Sequence, residues 1–311
     1  MVIIENRASV VLYNFLKSNR INGVFLLPAN VCPIVPLTFL KAGVTFEFVD
    51  IDSTHAMDKL QCLSRIADLK YSGVLFVHSY GKVFNNDGFY KQIKSIRENF
   101  TIIDDKCLCI PELTFDVPLH VDLQLFSTGY AKYVELSYGG WGIINNQLNY
   151  EKASLNYVSA AYDLQMNAIR PMLDNNLHLD YVDTPWLDTS TLDLTDEYFE
   201  FIKNKILEIR SHKEIINTIY SSLLPVDLQF GIDYVDWRFM LAIPNRSKII
   251  SRIFEKGYFV GTNFPSVAYM FNKEAMINAE KEQSMVINLF NDFRIDESKA
   301  IAITHIINGM L

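Results

Sequence analysis

Lys132 stands in a segment whose residue types could carry out covalent chemistry. The segment, FSTGYAK at positions 126–132, places a serine five residues before the lysine, and a Gly-Gly pair follows at 139–140. Upstream, an apolar run ends in the two acids Asp104 and Asp105. A pyridoxal-phosphate (PLP) enzyme needs such a set: an amine for a Schiff base, a hydroxyl and amides for the phosphate, and a carboxylate for the protonated pyridine nitrogen.

For Lys132 the alternative is an ordinary surface lysine in a loop. A lysine in water is mostly protonated at neutral pH, so attack on an aldehyde requires a partly desolvated pocket that favours the free amine. The flanking serine and glycines favour such a pocket. We therefore predict that Lys132 is a catalytic residue.

The two upstream acids are expected to have different surroundings. Successive side chains on a strand point to opposite faces of the sheet, so only one of Asp104 and Asp105 would reach the pyridine ring. In the alternative, both acids merely cap the next turn. The residues alone leave this choice open.

The first 145 residues alternate between helix-like and strand-like segments, which would position these groups. Helices are predicted at 10–18, 34–42 and within 87–99, and strands at 24–27, 45–49, 73–77, 101–103, 123–126 and, antiparallel at an edge, 142–144. Near-continuous apolar strands separated by helices indicate a mostly parallel sheet covered on both faces. Ligands bind such sheets at the carboxyl ends of the strands, where residues 28–32, His78, Asp105 and Ser127 all fall.

The remainder of the chain is predicted to form a smaller α/β domain. Residues 147–195 are less regular, with one helix near 153–172 and an acidic, proline-containing loop. Helices are then predicted at 196–224, 247–256 and 297–308, and short strands at 237–243 and 258–260. The fold class is therefore α/β, with a large domain at 1–195, whose central sheet is sandwiched by helices, and a small C-terminal domain at 196–311.

Composition and charge exclude several classes of protein. The chain has 311 residues, half of them hydrophobic, which predicts a folded protein with sizeable cores. A net charge of -8 without a long basic run argues against a nucleic-acid or anionic-membrane partner. No apolar run reaches the roughly 20 residues of a bilayer span, and no signal-peptide pattern is present, so a cytoplasmic location is expected.

The cysteines do not indicate a metal site. Cys107 and Cys109 lack the two-residue spacing of a zinc knuckle, and Cys32 and Cys62 lie far away. Four free, mostly buried thiols and no metal are therefore expected.

Several segments, taken in order, resemble the DegT/StrS family of PLP-dependent sugar aminotransferases, which have the aspartate-aminotransferase-like fold type I. The segments are LPANVC (27–32), the run 43–52, VHSYGK (77–82), IDD (103–105), the serine-to-lysine spacing with its Gly-Gly pair, and VINL (286–289). The resemblance covers most of the chain, and the order and spacing of the segments make it specific.

The resemblance implies roles on the cofactor side. It places the ring-binding acid second, which favours Asp105, and it assigns the hydroxyl of Ser127 to the phosphate. Residues 6–9 are similar to the family's phosphate loop, so the backbone amides of Arg7 and Ala8 would bind the phosphate at the start of the first helix. PLP is the implied cofactor.

Other positions are implied with fewer supporting features. The place of the side chain that stacks on the ring is taken by Cys32 or Asn30, of which we predict Cys32. His78 and Tyr80 at the next strand end, and Trp237 in the small domain, are candidate substrate residues, and a structural role is the alternative for His78 and Trp237.

The resemblance also implies an activity. Members move an amino group, usually from glutamate, to a nucleotide-linked keto sugar in surface-polysaccharide or natural-product sugar biosynthesis, and their sites usually lie at a homodimer interface. In a related subgroup that catalyses dehydration, histidine replaces the lysine, so Lys132 favours transamination.

Three departures from the family pattern motivate an alternative. The chain begins almost at the phosphate-side helix, Leu108 stands where a glutamine or histidine is usual, and the segment that reaches the neighbouring subunit is not recognisable after Asn146. The alternative is a catalytically inactive PLP-fold protein with a binding or regulatory role. A nucleotide-binding dehydrogenase is disfavoured, because residues 28–30 replace the expected glycine-rich turn after the first strand.

Overall fold

The computed structural model describes residues 1–19, 21–116, 118–192 and 197–311. Its first part alternates strands and helices, as the apolar pattern predicts. In chain order these are β1 (Val2–Glu5), α1 (Ala8–Ser18), β2 (Val24–Pro28), α2 (Ile34–Ala42), β3 (Phe46–Val49), α3 (Lys59–Ile66), β4 (Tyr71–Val77), α4 (Asp87–Ile96), β5 (Thr101–Asp105), β6 (Leu123–Ser127), β7 (Gly140–Ile144) and α5 (Ser159–Asp174).

The seven strands form one sheet in the order β1-β7-β6-β5-β4-β2-β3. Strands β2 to β6 pair in parallel, which confirms the mostly parallel sheet. Strand β7 is antiparallel to β6, as expected, but it is not the edge strand. The unpredicted strand β1 covers it, because Val2–Glu5 pairs antiparallel along its whole length.

Alternating side chains of the central strands supply two separate cores. In β2, Phe25 and Leu27 pack with α1 and α2, whereas Leu26 packs on the opposite face with α3 and α4. In β4, Leu75 and Phe76 divide in the same way. Burial on both faces explains why these strands are apolar at nearly every position.

The C-terminal part contains a second, smaller sheet. Its elements are α6 (Glu197–Leu223), β8 (Phe239–Ala242), α7 (Ser247–Glu255), β9 (Val260–Gly261), α8 (Ala268–Asn272), α9 (Ile277–Met285), β10 (Val286–Leu289) and α10 (Glu297–Asn308). The three strands pair antiparallel in the order β8-β10-β9, with α6, α7 and α10 packed against them. This agrees with the predicted smaller α/β unit.

The predicted domain boundary between residues 195 and 196 lies outside the described residues. Past that boundary, the segment around α8 returns to the large sheet, where Met270 and Phe271 join the core formed by α1 and α2. None of the helices in the described ranges is long and apolar enough to cross a bilayer.

Candidate active site

The carboxyl ends of β5 and β6 open onto one cavity of about 290 Å³. Its wall includes Asp105 at the end of β5, Ser127 at the end of β6 and Lys132 in the following loop. Arg7 and Ala8 at the start of α1 complete this side of the wall. The structure thus brings five sequence-predicted residues to one place.

The Gly139-Gly140 pair explains how α1 reaches the end of β6. Gly140 pairs with Ser127 across β7 and β6, and a Cβ atom at Gly140 would lie only 2.2 Å from the backbone nitrogen of Ala8. Gly139 has φ +86°, a conformation that favours glycine, and its N–H donates to the carbonyl of Asn6 at 2.7 Å. Gly139 thus makes the turn, and Gly140 permits the close approach of β7 to the start of α1.

The start of α1 has the features of an anion site. Its N-cap residue, Arg7, has extended backbone geometry and makes no side-chain capping hydrogen bond. The first amides of such a helix lack intrahelical acceptors, and the helix dipole adds positive potential there. Nearby, the hydroxyl oxygen of Ser127 accepts a hydrogen bond from the N–H of Gly129 at 3.1 Å, which fixes it on the cavity wall.

Asp105 and Asp104 have different surroundings, as strand alternation requires. Asp105 lines the cavity, and its Oδ1 accepts from the N–H of Cys107 at 2.9 Å. Among the described residues we find no hydrogen bond to its Oδ2. Asp104 lies away from the cavity and accepts hydrogen bonds from three side chains, those of His78, Tyr90 and Gln124.

The loop that carries Lys132 is held at both ends and at its middle. Thr128 closes the base, since its N–H donates to Gly139 and its carbonyl accepts from Leu136. At the middle, the indole Nε1 of Trp237 donates to the carbonyl of Ala131 at 2.8 Å. The loop therefore holds the half-buried Lys132 between the strand ends and the small sheet.

A second cavity, of about 600 Å³, shares part of this wall. Lys132, Cys32 and Tyr130 line both cavities. The rest of the second cavity comes largely from the C-terminal part, including Trp237, Arg238, Asn263, Phe264 and Phe290. Lys132 is therefore accessible from both cavities.

Comparison with solved structures gives matches over almost the whole chain. The Helicobacter pylori aminotransferase PseC, involved in the biosynthesis of pseudoaminic acid, is 13% identical with a TM-score of 0.71, covering 99% of this chain and 86% of its own. A DegT DnrJ EryC1 StrS aminotransferase from Brucella abortus is 16% identical with a TM-score of 0.68, covering 99% and 85%. The chain has the aminotransferase fold.

A third similar structure is that of Spr1654 from Streptococcus pneumoniae, assigned as a sugar aminotransferase and solved in a PLP-form. It is 13% identical with a TM-score of 0.71, covering 100% of this chain and 88% of its own. No protein-family model matches the sequence, and a search of curated proteins finds no match. At these identities the likeness establishes the aminotransferase fold alone.

Within the aminotransferase fold, the donor set fits PLP. A helix start without a capping side chain and a serine hydroxyl suit a phosphate, a buried carboxylate with an open oxygen suits a protonated ring nitrogen, and a half-buried lysine suits the aldehyde. In the described ranges, no group of three or more His, Cys, Asp or Glu side chains is arranged to hold a metal ion.

Cys32 occupies the β2–α2 connection beside this donor set. It is half-buried, and burial raises the pKa of its thiol, with a further increase from Asp105 opposed by Lys132. The thiol is therefore neutral at physiological pH and could contact a ring face. The competing Asn30 lines neither cavity, and its side-chain amide donates to the carbonyl of His55.

His78 and Tyr80 are not among the residues that line either cavity. His78 is buried and pairs with Asp104 at 2.9 Å, while its other ring nitrogen accepts from the N–H of Phe84. The hydroxyl of Tyr80 donates to Glu282 of α9 at 2.6 Å. Their predicted role in substrate binding gains no support from this geometry.

Sequence reasoning missed the part of the wall supplied by the irregular stretch 147–195. Tyr157, Tyr162, Trp186 and Asp188 all line the first cavity. Asp188 also accepts a hydrogen bond from the side chain of Asn6 at 3.1 Å. Apart from Tyr162 in α5, these residues lie in extended loops, whose positions periodicity does not predict.

Proposed function

We propose that this chain is a PLP-dependent aminotransferase that moves an amino group, from glutamate, to a nucleotide-linked keto sugar. The observation that carries the proposal is the position of Lys132, which lines two adjoining cavities, one of them built around Asp105, Ser127 and the start of α1. The aminotransferase fold supports this assignment, because structures of that fold match the chain over almost its full length.

When bound, PLP supplies an aldehyde carbon that joins to an amine and an electron-withdrawing ring. The residues of this chain would hold it in place. The amides of Arg7 and Ala8 and the hydroxyl of Ser127 would bind the phosphate, and the guanidinium of Arg7 would add positive charge. Asp105 would hold the proton on the ring nitrogen, and Cys32 would contact the ring.

Lys132 moves the proton that transamination requires. The Nζ amine of Lys132 would take the proton from the α-carbon of the donor and hold it for return to the bound group. The contacts of Thr128 and Ala131 hold the loop that carries Nζ. In the second half-reaction, in which the keto sugar accepts the amine, the same Nζ would move the proton in the opposite direction.

The second cavity is the proposed entrance for substrates. It is about twice the size of the first and has aromatic, amide and arginine groups in its wall, which suits a polar ligand with flat surfaces. A sugar as the substrate is supported by Spr1654, a structure of this fold assigned as a sugar aminotransferase. The nucleotide and the keto group follow from the sequence resemblance. The product would enter surface-polysaccharide or natural-product sugar biosynthesis.

We further propose a homodimer. Tyr130, beside Lys132, is 70% exposed, and the neighbouring helix α5 has no fully buried residue although Leu164 and Val158 at this helix are apolar. A second copy packed here would cover these groups and complete the rim of the cavities. Light scattering after size exclusion should give twice the chain mass of 35.8 kDa.

Cofactor binding is tested first. Protein purified with PLP should show a visible absorption band that excess buffer does not remove, and Lys132→Ala should lose it. Lys106→Ala is the matched control, because Lys106 follows Asp105 directly but pairs with Glu112 at 2.7 Å and lines neither cavity. Equal bands in the wild type and the Lys132 variant would sink the proposal.

Turnover is tested separately. The pyridoxamine-phosphate form, incubated with a panel of nucleotide-linked keto sugars, should regain the visible band with at least one of them. A protein that binds PLP but responds to no donor and no sugar would instead be the catalytically inactive binding or regulatory protein.

A further inference from the structure

The buried stripe of α6 contains a charged side chain. Lys213 is only 4% exposed, and it belongs to a row of buried residues at helical spacing whose other members are Tyr198, Ile202, Ile209, Ile216 and Tyr220. A buried ammonium is costly unless its surroundings compensate for the lost water. The contacts of Lys213 therefore indicate what this position does.

One contact of Lys213 leads to the residue before Lys132. The Nζ of Lys213 donates to the carbonyl of Trp237 at 2.8 Å. The indole Nε1 of Trp237 in turn donates to the carbonyl of Ala131 at 2.8 Å. Lys213 and Ala131 are therefore joined through a single intervening residue.

A second contact of Lys213 reaches the residue after Lys132. The Nζ of Lys213 lies 5.2 Å from the ring centre of Tyr133. An ammonium over an aromatic face is attracted by the negative potential of the ring. Lys213 thus contacts the loop on both sides of Lys132, although it is not among the residues that line either cavity.

The backbone at Ala131 requires such support. Ala131 has φ 56°, in the left-handed region that residues other than glycine seldom adopt. A conformation of this kind persists when the surrounding contacts hold it. Because Ala131 directly precedes Lys132, its backbone sets the direction in which the side chain of Lys132 leaves the loop.

Asn291, which follows β10, anchors Lys213 on the opposite side. Its Oδ1 accepts a hydrogen bond from the Nζ of Lys213. Its amide nitrogen donates to the carbonyl of Val235 at 2.7 Å and to Oδ1 of Asn217 at 2.9 Å. Lys213 is therefore fixed to the small sheet on one side and contacts the Lys132 loop on the other.

We propose that Lys213 is a positioning residue for Lys132, which holds the backbone on both sides of Lys132 and so directs its Nζ into the cavities. Lys213 acts through Trp237 and Tyr133 and touches no reacting group. The inference rests on the proposed function, because it takes Lys132 as the amine that joins to PLP.

The charge of Lys213 adds a pH dependence to this positioning. Burial lowers the pKa of Lys213 to about 7, against an ordinary value of 10.5. Two acids oppose this lowering and two arginines add to it: Asp292, Asp236, Arg238 and Arg294. The neutral amine keeps two N–H groups for its two acceptors, but the charge over the ring of Tyr133 is lost. The hold on the Lys132 loop should therefore weaken as the pH rises through about 7.

The first test follows the visible band as cofactor-free protein is mixed with PLP. Lys213→Met keeps an unbranched side chain but loses the charge and the donors, and we expect the band to form about tenfold more slowly. Lys94→Met is the matched control, because Lys94 is also a partly buried lysine in a helix, pairs with Asp122 at 2.8 Å and is not among the residues that line either cavity. It should form the band at the wild-type rate.

A binding measurement without PLP accompanies this test. Inorganic phosphate, titrated calorimetrically, should bind the wild type, Lys213→Met and Lys94→Met equally. The proposed phosphate site lies at the start of α1 and Ser127, which the contacts of Lys213 do not include.

Trp237→Phe tests the same relay without removing a buried charge. It keeps an aromatic ring and the carbonyl that accepts from Lys213, but it loses the Nε1 donor to Ala131. We expect about fivefold slower band formation. Combined with Lys213→Met, the two effects should be less than multiplicative, because both act through residue 237. No substrate is present in this measurement, so a substrate contact of Trp237 does not affect it.

The pH profile separates positioning from a purely structural role. The rate for the wild type, divided by the rate for Lys213→Met, cancels the titration of Lys132 and of PLP. We expect this ratio to fall about threefold between about pH 6 and pH 8.5, as the charge over the ring of Tyr133 is lost. Lys213→Arg stays charged over this range, so it should recover part of the rate and show no such fall.

The proposal is overturned if folded Lys213→Met forms the band at the wild-type rate, if the rate ratio does not change with pH, or if phosphate binding is lost as well. It is also overturned if Lys94→Met slows the band equally. Where Lys213→Met does not fold, a wild-type rate in Trp237→Phe overturns it. In each case the wild type still forms a band that Lys132→Ala loses, so this failure is distinguishable from failure of the proposed function.

Discussion

Asp104 and Asp105 are consecutive at the end of β5, yet they face opposite sides of the sheet. Asp104 accepts from His78, Tyr90 and Gln124, and both of its oxygens are occupied. Burial alone would raise the pKa of Asp104, but His78 and the hydrogen bonds from His78, Tyr90 and Gln124 lower it. Asp105 accepts one backbone hydrogen bond and lines the cavity. An acid whose carboxylate oxygens are all hydrogen-bonded within the protein is structural, whereas an acid with an oxygen left open is available to a ligand.

The buried cations of the C-terminal part show the same contrast. Lys213, in α6, donates to the carbonyl of Trp237 and to the side chain of Asn291. Arg238, one residue beyond Trp237, has no such partner in the described ranges. We expect changes at satisfied groups to alter stability and changes at open groups to alter ligand binding.

The largest contrast is expected between the two acids. Asp105→Asn should lower transamination by at least about a hundredfold, because an amide cannot hold the proton on the ring nitrogen, and should leave stability nearly unchanged. Asp104→Asn should keep the visible band but lower the free energy of unfolding by roughly 1.5–3 kcal/mol. Steady-state rates and urea unfolding of both variants measure this.

The comparison fails if the two variants behave alike. If Asp104→Asn were stable but had lost activity, the ring contact would belong to Asp104 and the assignment to Asp105 would be wrong.

A smaller contrast is expected between two glycines. In Gly140→Ala the new Cβ would meet the backbone of Ala8, so the start of α1 must shift, and we expect about tenfold weaker PLP binding. Gly88→Ala is the matched control, since Gly88 lies in α4 with open space around its Cβ position. This variant should keep its PLP affinity, and its free energy of unfolding should rise by roughly 0.5–1 kcal/mol. Equal PLP affinity in both variants would contradict the phosphate site.

The last contrast concerns pH. Burial lowers the pKa of Lys213 to about 7, with Asp292 and Asp236 opposing, against an ordinary value of 10.5. Above pH 7 the unfolded chain therefore binds more protons at this site than the folded chain, so stability should rise from about pH 7 to 8.5. Lys213→Met should flatten this rise in urea unfolding, and an unchanged slope would contradict the assignment. Above that range the buried cysteines act in the opposite direction, since burial raises their pKa values.

Much of the fold could be predicted, because its signals are local. Apolar runs located six of the seven large-sheet strands within two residues at each end, and α10 was placed at its observed bounds. The left-handed Gly43 ends α2 where predicted. Strand β1 was missed because Val2–Glu5 is only four residues long and has no flanking turn signal.

The residues of the candidate site that lie at the ends of strands could be predicted from the sequence. Asp105 and Ser127 end parallel neighbours, so their meeting follows from topology. His78 also lies at a strand end but does not reach the cavity, because its ring contacts Asp104 on the opposite face of the sheet. The wall from Tyr157 and Asp188 depends on long-range loop packing, which leaves no periodic trace in the sequence.

The most direct test of the central claim is the covalent attachment of the cofactor. Protein saturated with PLP is reduced with borohydride, digested and sequenced by mass spectrometry. The account predicts a pyridoxyl-phosphate adduct on the peptide that contains Lys132 and on no other lysine peptide in comparable amount. An adduct distributed over surface lysines, or absent from Lys132, would contradict it.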